Sequence, residues 1–220
     1  MTCPTNRHGQ RGFTLIELMV AIAAMALLAL MSWRGLDGMT RAQSINRDRG
    51  DAVLTLQTTL SQWSADLDAI VAPTQIQPIS WNGRVLRLTR KSANGARPAI
   101  QVVAWTVRTD AGTGTRWRRW QSPDIDTRAG WQQAWDRASA WAQDGAGAGG
   151  SEVALIPVDA WQMFYFDGTG WVNAASGGAS ASAFAIPDGV RLVVTLPPGP
   201  GLAGTLVRDW VRPTATVRKS

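Results

Sequence analysis

A carboxylate stands inside the longest apolar run of this chain. Arg11-Gly-Phe-Thr-Leu-Ile-Glu17 opens a stretch that stays apolar to about Trp33, interrupted only at Thr14, Glu17 and Ser32. About 20 such residues suffice to cross a bilayer as a helix. A helix apolar on every other face has no water-facing side, which argues against a buried helix of a soluble fold. An unpaired charge at membrane depth costs several kcal/mol, roughly 2.5–3.5 by insertion scales, so Glu17 calls for a partner. Glutamate is otherwise scarce, with Glu152 the only other one in the 220 residues.

The order of elements before this run separates two processing routes. A secretory signal places charge first, then an apolar core, then a small residue at the cut. Here Arg7, Arg11 and the small residue Gly12 all precede the apolar core. A cut after Gly12 therefore leaves the apolar segment on the mature chain; an uncleaved signal anchor is the alternative. Charge does not settle the orientation, because Arg34, Arg41, Arg47 and Arg49 follow the span as Arg7 and Arg11 precede it.

Beyond the span the pattern becomes amphipathic. Val53, Leu56, Leu60, Trp63, Leu67 and Ile70 recur at steps of three and four, one continuous helical stripe. Thr55, Thr58, Thr59, Gln62, Asp66 and Asp68 fall outside it, and Asp66 and Asp68 read as a solvated face. Gly35, Gly38 and Gly50 weaken the helix between span and stripe. Pro73 predicts its end near Val71. This divides the chain into a leader (1–12), a membrane helix (13–33), its amphipathic continuation (34–72) and a β-rich domain (73–220).

The β-rich part reads as strands at Arg84–Arg90, Ile100–Arg108, Arg116–Gln121, Val153–Val158, Trp161–Phe166, Val190–Leu196 and Leu206–Arg212. Gly112-Thr113-Gly114 reads as a hairpin turn. Arg128–Gln143, with Trp131 and Trp135 four apart, predicts a short helix. Gly145–Ser151, Ala174–Ser182 and Pro197–Gly201 read as loops. The fold class is α+β: a long N-terminal helix packed on an antiparallel β-sheet.

Little in the chain points to catalysis or to a cofactor. The single Cys3 and single His8 both precede Gly12, so a mature chain beginning at Phe13 has no Cys/His metal site and no His-based triad. Asp124 and Asp126 are too few for a calcium site. Gly145-Ala-Gly-Ala-Gly-Gly150 lacks the Lys-Ser/Thr of a phosphate loop. The net charge of +6 is spread along the chain, without a basic cluster, which argues against nucleic acid. Trp117-Arg-Arg-Trp120 reads as a strand of half-buried tryptophans with arginines stacked on them. Trp131, Trp135 and Trp141 suit either a sheet-packing face or a partner surface.

With Gly12, Phe13 and Glu17 in this order, the chain resembles the type IV pilin-like proteins. Within them, Trp33-Arg-Gly-Leu-Asp37 is similar to the segment after the span in J-type minor pseudopilins of type II secretion. The resemblance implies the pilin fold and no enzymatic activity. It implies cleavage after Gly12 by a prepilin peptidase and N-methylation of Phe13. It further implies that Glu17 pairs with the N-terminal ammonium of a neighbouring subunit. The implied setting is the inner membrane, with the C-terminal domain in the periplasm. The implied partners are the I- and K-type minor pseudopilins of a pseudopilus tip complex, the major pseudopilin and a secreted substrate protein. A minor pilin of a type IV pilus and a membrane-anchored periplasmic enzyme, reliant on residues such as Tyr165, are the alternatives.

Overall fold

The computed structural model describes residues 13–92, 98–110, 112, 114–144, 150–176, 184–199 and 202–213. The leader with Gly12, most of the Gly145–Ser151 and Ala174–Ser182 segments, and the end of Pro197–Gly201 lie outside them. The chain divides into two units, Met1–Asp48 and Arg49–Ser220. One helix, α1 (Leu15–Asp68), contributes to both. It is continuous through Gly35, Gly38 and Gly50, with open space beside each. It ends at Asp68, three residues before the expected Val71. The reason is tertiary: Val71 N–H bonds the Thr89 carbonyl and Lys91 N–H bonds the Ala69 carbonyl, so these residues join a strand.

In the first unit every described residue is exposed. Leu15, Ile16, Leu27, Leu30 and their apolar neighbours have no protein around them. Water is a poor solvent for such a surface, whereas lipid is a good one.

Besides its part of α1, the second unit holds nine strands and one helix among the described residues. β1 (Ile79–Trp81), β2 (Val85–Lys91), β3 (Ile100–Asp110), β4 (Gly114–Gln121) and β5 (Ser151–Pro157) form a first antiparallel sheet in that order. The second sheet runs β7 (Trp171–Asn173), β6 (Ala160–Phe166), β8 (Gly189–Leu196), β9 (Gly204–Val211), also antiparallel. Helix α2 (Arg128–Asp144) lies between β4 and β5 in sequence. The α+β, pilin-like expectation holds, but the single antiparallel sheet expected from the sequence is two sheets. β1 and β7, three residues each, are too short to carry a periodic signal.

The first sheet is buried on both faces, as its alternation shows. Leu86, Leu88, Val103, Trp105 and Trp117 face one cluster, shared with Leu56, Trp63 and Leu67 of α1 and with Met163, Val190, Leu192 and Trp210 of the second sheet. Val85, Val102, Ala104 and Trp120 face the other, closed by Trp131, Ala134, Trp135, Ala138 and Trp141 of α2. Period-two alternation sends neighbours to opposite faces, so one strand serves both cores. Of the 12 tryptophans only Trp33 is among the exposed large hydrophobics. Each buried indole removes roughly 150–250 Å² from water. At ~25 cal/mol per Å² that is about 4–6 kcal/mol apiece as an upper bound.

The β3–β4 turn requires glycine at two positions. Gly112 (φ 94°) and Gly114 (φ 73°) form the β3–β4 turn in the left-handed region that side chains avoid.

The helix terminus and the buried carboxylates

Glu17 belongs to a capping arrangement at the start of α1. Thr14, one residue before the helix, places its hydroxyl 3.4 Å from the Glu17 N–H. Glu17 in turn accepts the Thr14 N–H at 3.0 Å and the Thr14 hydroxyl at 2.9 Å, both on Oε2. This is the reciprocal Thr-x-x-Glu box, and it places a negative charge in the positive first turn. Oε1 carries no hydrogen bond among the described residues. Thr14 is the participant that sequence reading overlooked, although the Thr-x-x-Glu spacing was a sufficient signal. Phe13, beside it, is 90% exposed. Gly12 lies outside the described residues. α1 contains a stretch long and apolar enough to cross a membrane.

A second carboxylate seats the Arg49–Asp68 part of the helix on the domain. Asp66 is fully buried, which corrects the reading of a solvated face. Its Oδ1 accepts Arg119 Nη2 at 2.9 Å and Gln62 Nε2 at 3.1 Å, and pairs closely with Arg90. Its Oδ2 accepts Arg119 Nε at 2.7 Å and the Trp105 indole N–H at 2.9 Å. Two guanidinium groups and an indole thus converge on one side chain, as a buried charge requires. Asp66 follows Trp63 by three and precedes Ile70 by four, so its stripe position was visible in the sequence. Its polarity argued for the wrong face. Asp68, two residues on and nearly opposite on the helix, is exposed yet accepts the Trp210 indole N–H at 2.7 Å.

The third junction is Glu152 on β5. It accepts Arg108 Nη2 at 2.8 Å and the Trp141 indole N–H at 2.8 Å, and pairs closely with Arg118. Three elements, β3, β4 and α2, meet there. The Trp117–Trp120 segment is therefore corrected in two respects. Both indoles are fully buried, and Arg118 and Arg119 form ion pairs with Glu152, Asp110 and Asp66. Arginine stacking occurs elsewhere, with Arg87 4.6 Å over Trp135 and Arg191 4.3 Å over Trp171. The chain passes close over Trp120 on entering β5. A Cβ on Gly150 would lie 2.4 Å from the Gln121 carbonyl oxygen, so only glycine fits. Trp131, Trp135 and Trp141 are buried against the first sheet, which settles their role as packing.

Other candidate chemistry is occupied by structure. Asp124 accepts the Gln101 amide at 2.8 Å and the Ser92 hydroxyl at 2.7 Å. Among the described residues no group of three or more His, Cys, Asp or Glu gathers. Tyr165 is buried in the first core, and that burial pushes its phenol well above the ordinary value. A phenol held neutral inside a packed core is poorly placed for proton transfer to a substrate.

The ion pairs carry a pH dependence. Burial alone would raise the Glu152 pKa, but hydrogen bonds from Trp141 and Arg118, with the charges of Arg108 and Arg118, hold it below the ordinary 4.5. Asp209 is held below 3.8, chiefly by the hydrogen bonds from Arg191. A depressed folded pKa means the unfolded chain binds more protons in this window. The stabilisation is then complete above the ordinary carboxylate value and is lost as pH falls through the folded one. Thermal unfolding of the full chain in detergent should be level from about pH 7 to about pH 5 and decline below that. Glu152→Gln should flatten the decline; an equally steep decline would remove Glu152 from this account.

The prokaryotic N-terminal methylation motif matches residues 7–33. Over 217 residues the chain is 28% identical to type II secretion system protein J of Escherichia coli, covering 93% of this chain and 97% of that protein. Over 60 residues it is 37% identical to type II secretion system protein J of Klebsiella pneumoniae, covering 27% of this chain and 30% of that protein.

Proposed function

We propose that this chain, a J-like minor pseudopilin of the type II secretion system, serves as a structural subunit held in the inner membrane by the apolar part of α1. The observation that carries the reading is a carboxylate in the first turn of a helix whose other side chains up to Met31 are all apolar and exposed. Residues 13–33 are the anchor, 34–72 extend it, and 73–220 form a periplasmic domain. Cleavage after Gly12 frees the Phe13 amine, which is then methylated. That ammonium is the cation a neighbouring subunit needs for its own Glu17, and one ion pair in lipid is far less costly than two separate charges.

The capping geometry supports this. Thr14 holds Glu17 through Oε2 alone, so Oε1 is left to receive a second donor. The partners on this reading are the I- and K-type minor pseudopilins at a pseudopilus tip, the major pseudopilin and the prepilin peptidase. The role is to start or cap a short fibre that moves folded proteins outward, and it is structural rather than catalytic. Similarity to protein J along 93% of the chain supports it over a type IV minor pilin.

Two substitutions test it. Gly12→Ala should leave the leader attached, giving an intact mass heavier by the whole leader. Glu17→Ala should be processed normally yet co-isolate with other subunits at least about tenfold less, the loss that ~1.4 kcal/mol of pairing energy produces. Wild-type co-isolation and secretion by Glu17→Ala would end the pairing role.

A further inference from the structure

The two sheets have four edges, and the protein treats them unequally. β1 and β7 are three residues long. β5 has seven residues and ends in Pro157. β9 has eight, Gly204–Val211, with no proline and no bulge in its pairing to β8. A long straight edge presents a row of unsatisfied N–H and C=O groups, which proteins usually blunt by shortening, proline or charge. Three edges here are shortened or closed by proline, and the fourth is not.

The side chains of β9 add to its backbone. Val207 and Val211 share the outward face with Asp209, and they are 55% and 65% exposed. Beyond residue 70 only Val153 and Phe184 join them as exposed large hydrophobics among the described residues. The cations near this edge are mostly satisfied. Arg191 grips Asp209 with two bonds of 2.7 Å, and Arg212 bonds Asp188 at 2.5 Å. Arg208 is exposed and forms no ion pair among the described residues.

We propose that the edge of β9, free among the described residues, pairs with an extended strand of a neighbouring, non-identical subunit. That strand carries a carboxylate beside Arg208 and apolar side chains beside Val207 and Val211. Main-chain hydrogen bonds supply the affinity of such strand addition, and the flanking side chains supply the choice of partner. A second copy of this chain is a poor match. Its own β9 brings another Arg208, and its only acid there, Asp209, is already held by Arg191. The proposal rests on the reading of an assembling subunit and specifies which surface meets the neighbour.

The test uses the full chain in its native membrane, with a benzophenone amino acid at Val207, at Val211, or at Val153 on the β5 edge. Adducts at positions 207 and 211 should join one protein other than this chain, in clear excess over position 153. Arg208→Glu should reduce them about fivefold, the effect of reversing one rim charge, while leaving processing and the unfolding temperature unchanged. Adducts between two copies, no excess over Val153, or indifference to Arg208→Glu would overturn the edge assignment alone, provided that the chain still co-isolates with other subunits. Loss of co-isolation for the unsubstituted chain would overturn the assembly reading and this proposal with it.

Discussion

Asp66→Ala is expected to destabilise the Arg49–Ser220 unit by about 3–5 kcal/mol, the cost of breaking a buried ion pair from one side. In a domain of this size that lowers the unfolding temperature by about 6–20 °C. The cause is what remains behind. Arg90 and Arg119, 13% and 11% exposed in their side chains, would share a buried space with no anion. The Trp105 indole N–H would lose its acceptor as well. Asp66→Asn separates the two contributions, since an amide oxygen still accepts hydrogen bonds but carries no charge. If charge dominates, Asn loses nearly as much as Ala in urea unfolding of the full chain in detergent. If both variants melt within a degree or two of the parent, Asp66 does not seat the helix.

Trp141→Ala should cost a comparable amount, about 3–5 kcal/mol, by emptying the space between α2 and the first sheet. Its indole stacks on Trp120 at 6.3 Å, and Arg108 lies 5.7 Å over its ring. Its N–H bonds Glu152 and its carbonyl accepts Arg108 at 3.1 Å. The ring therefore does two jobs, filling volume and satisfying a carboxylate. Trp141→Phe keeps most of the volume and should lose only about 1.5–3 kcal/mol, the share of a hydrogen bond to a charged group. A cycle with Glu152→Gln should show coupling between the two sites, because they are in contact. Strict additivity would mean that the bond contributes nothing.

Much of the fold was legible because its signals are local. The strands from Val85 to Val211 announced themselves through β-branched and aromatic residues at period two, and α2 through its Trp spacing. The α1 stripe from Val53 to Ile70 was likewise visible. What escaped was of two kinds. β1 and β7 are defined by a neighbour's hydrogen bonds, and three residues carry no period. Asp66 was assigned to water because a lone carboxylate on a helix almost always goes there. Its acceptors' partners, Arg90, Trp105 and Arg119, lie 24 to 53 residues away, and no local pattern records such a convergence. The arginines of Trp117–Trp120 misled for the same reason: stacking is a neighbour's effect, whereas ion pairing depended on distant acids.

Glu17 shows where the division falls. Residue order was enough to place a carboxylate in an apolar helix, behind basic residues and a small residue, and to raise the expectation of a partner. That inference needs only the energetics of charge in hydrocarbon. The Thr14 bonds were written there too, because a helix cap is settled within four residues. The fate of Asp66, Glu152 and Arg208 was not. Whether a side chain is buried and paired or left open at a sheet edge depends on which strands lie beside it, and strand order is a property of the folded whole.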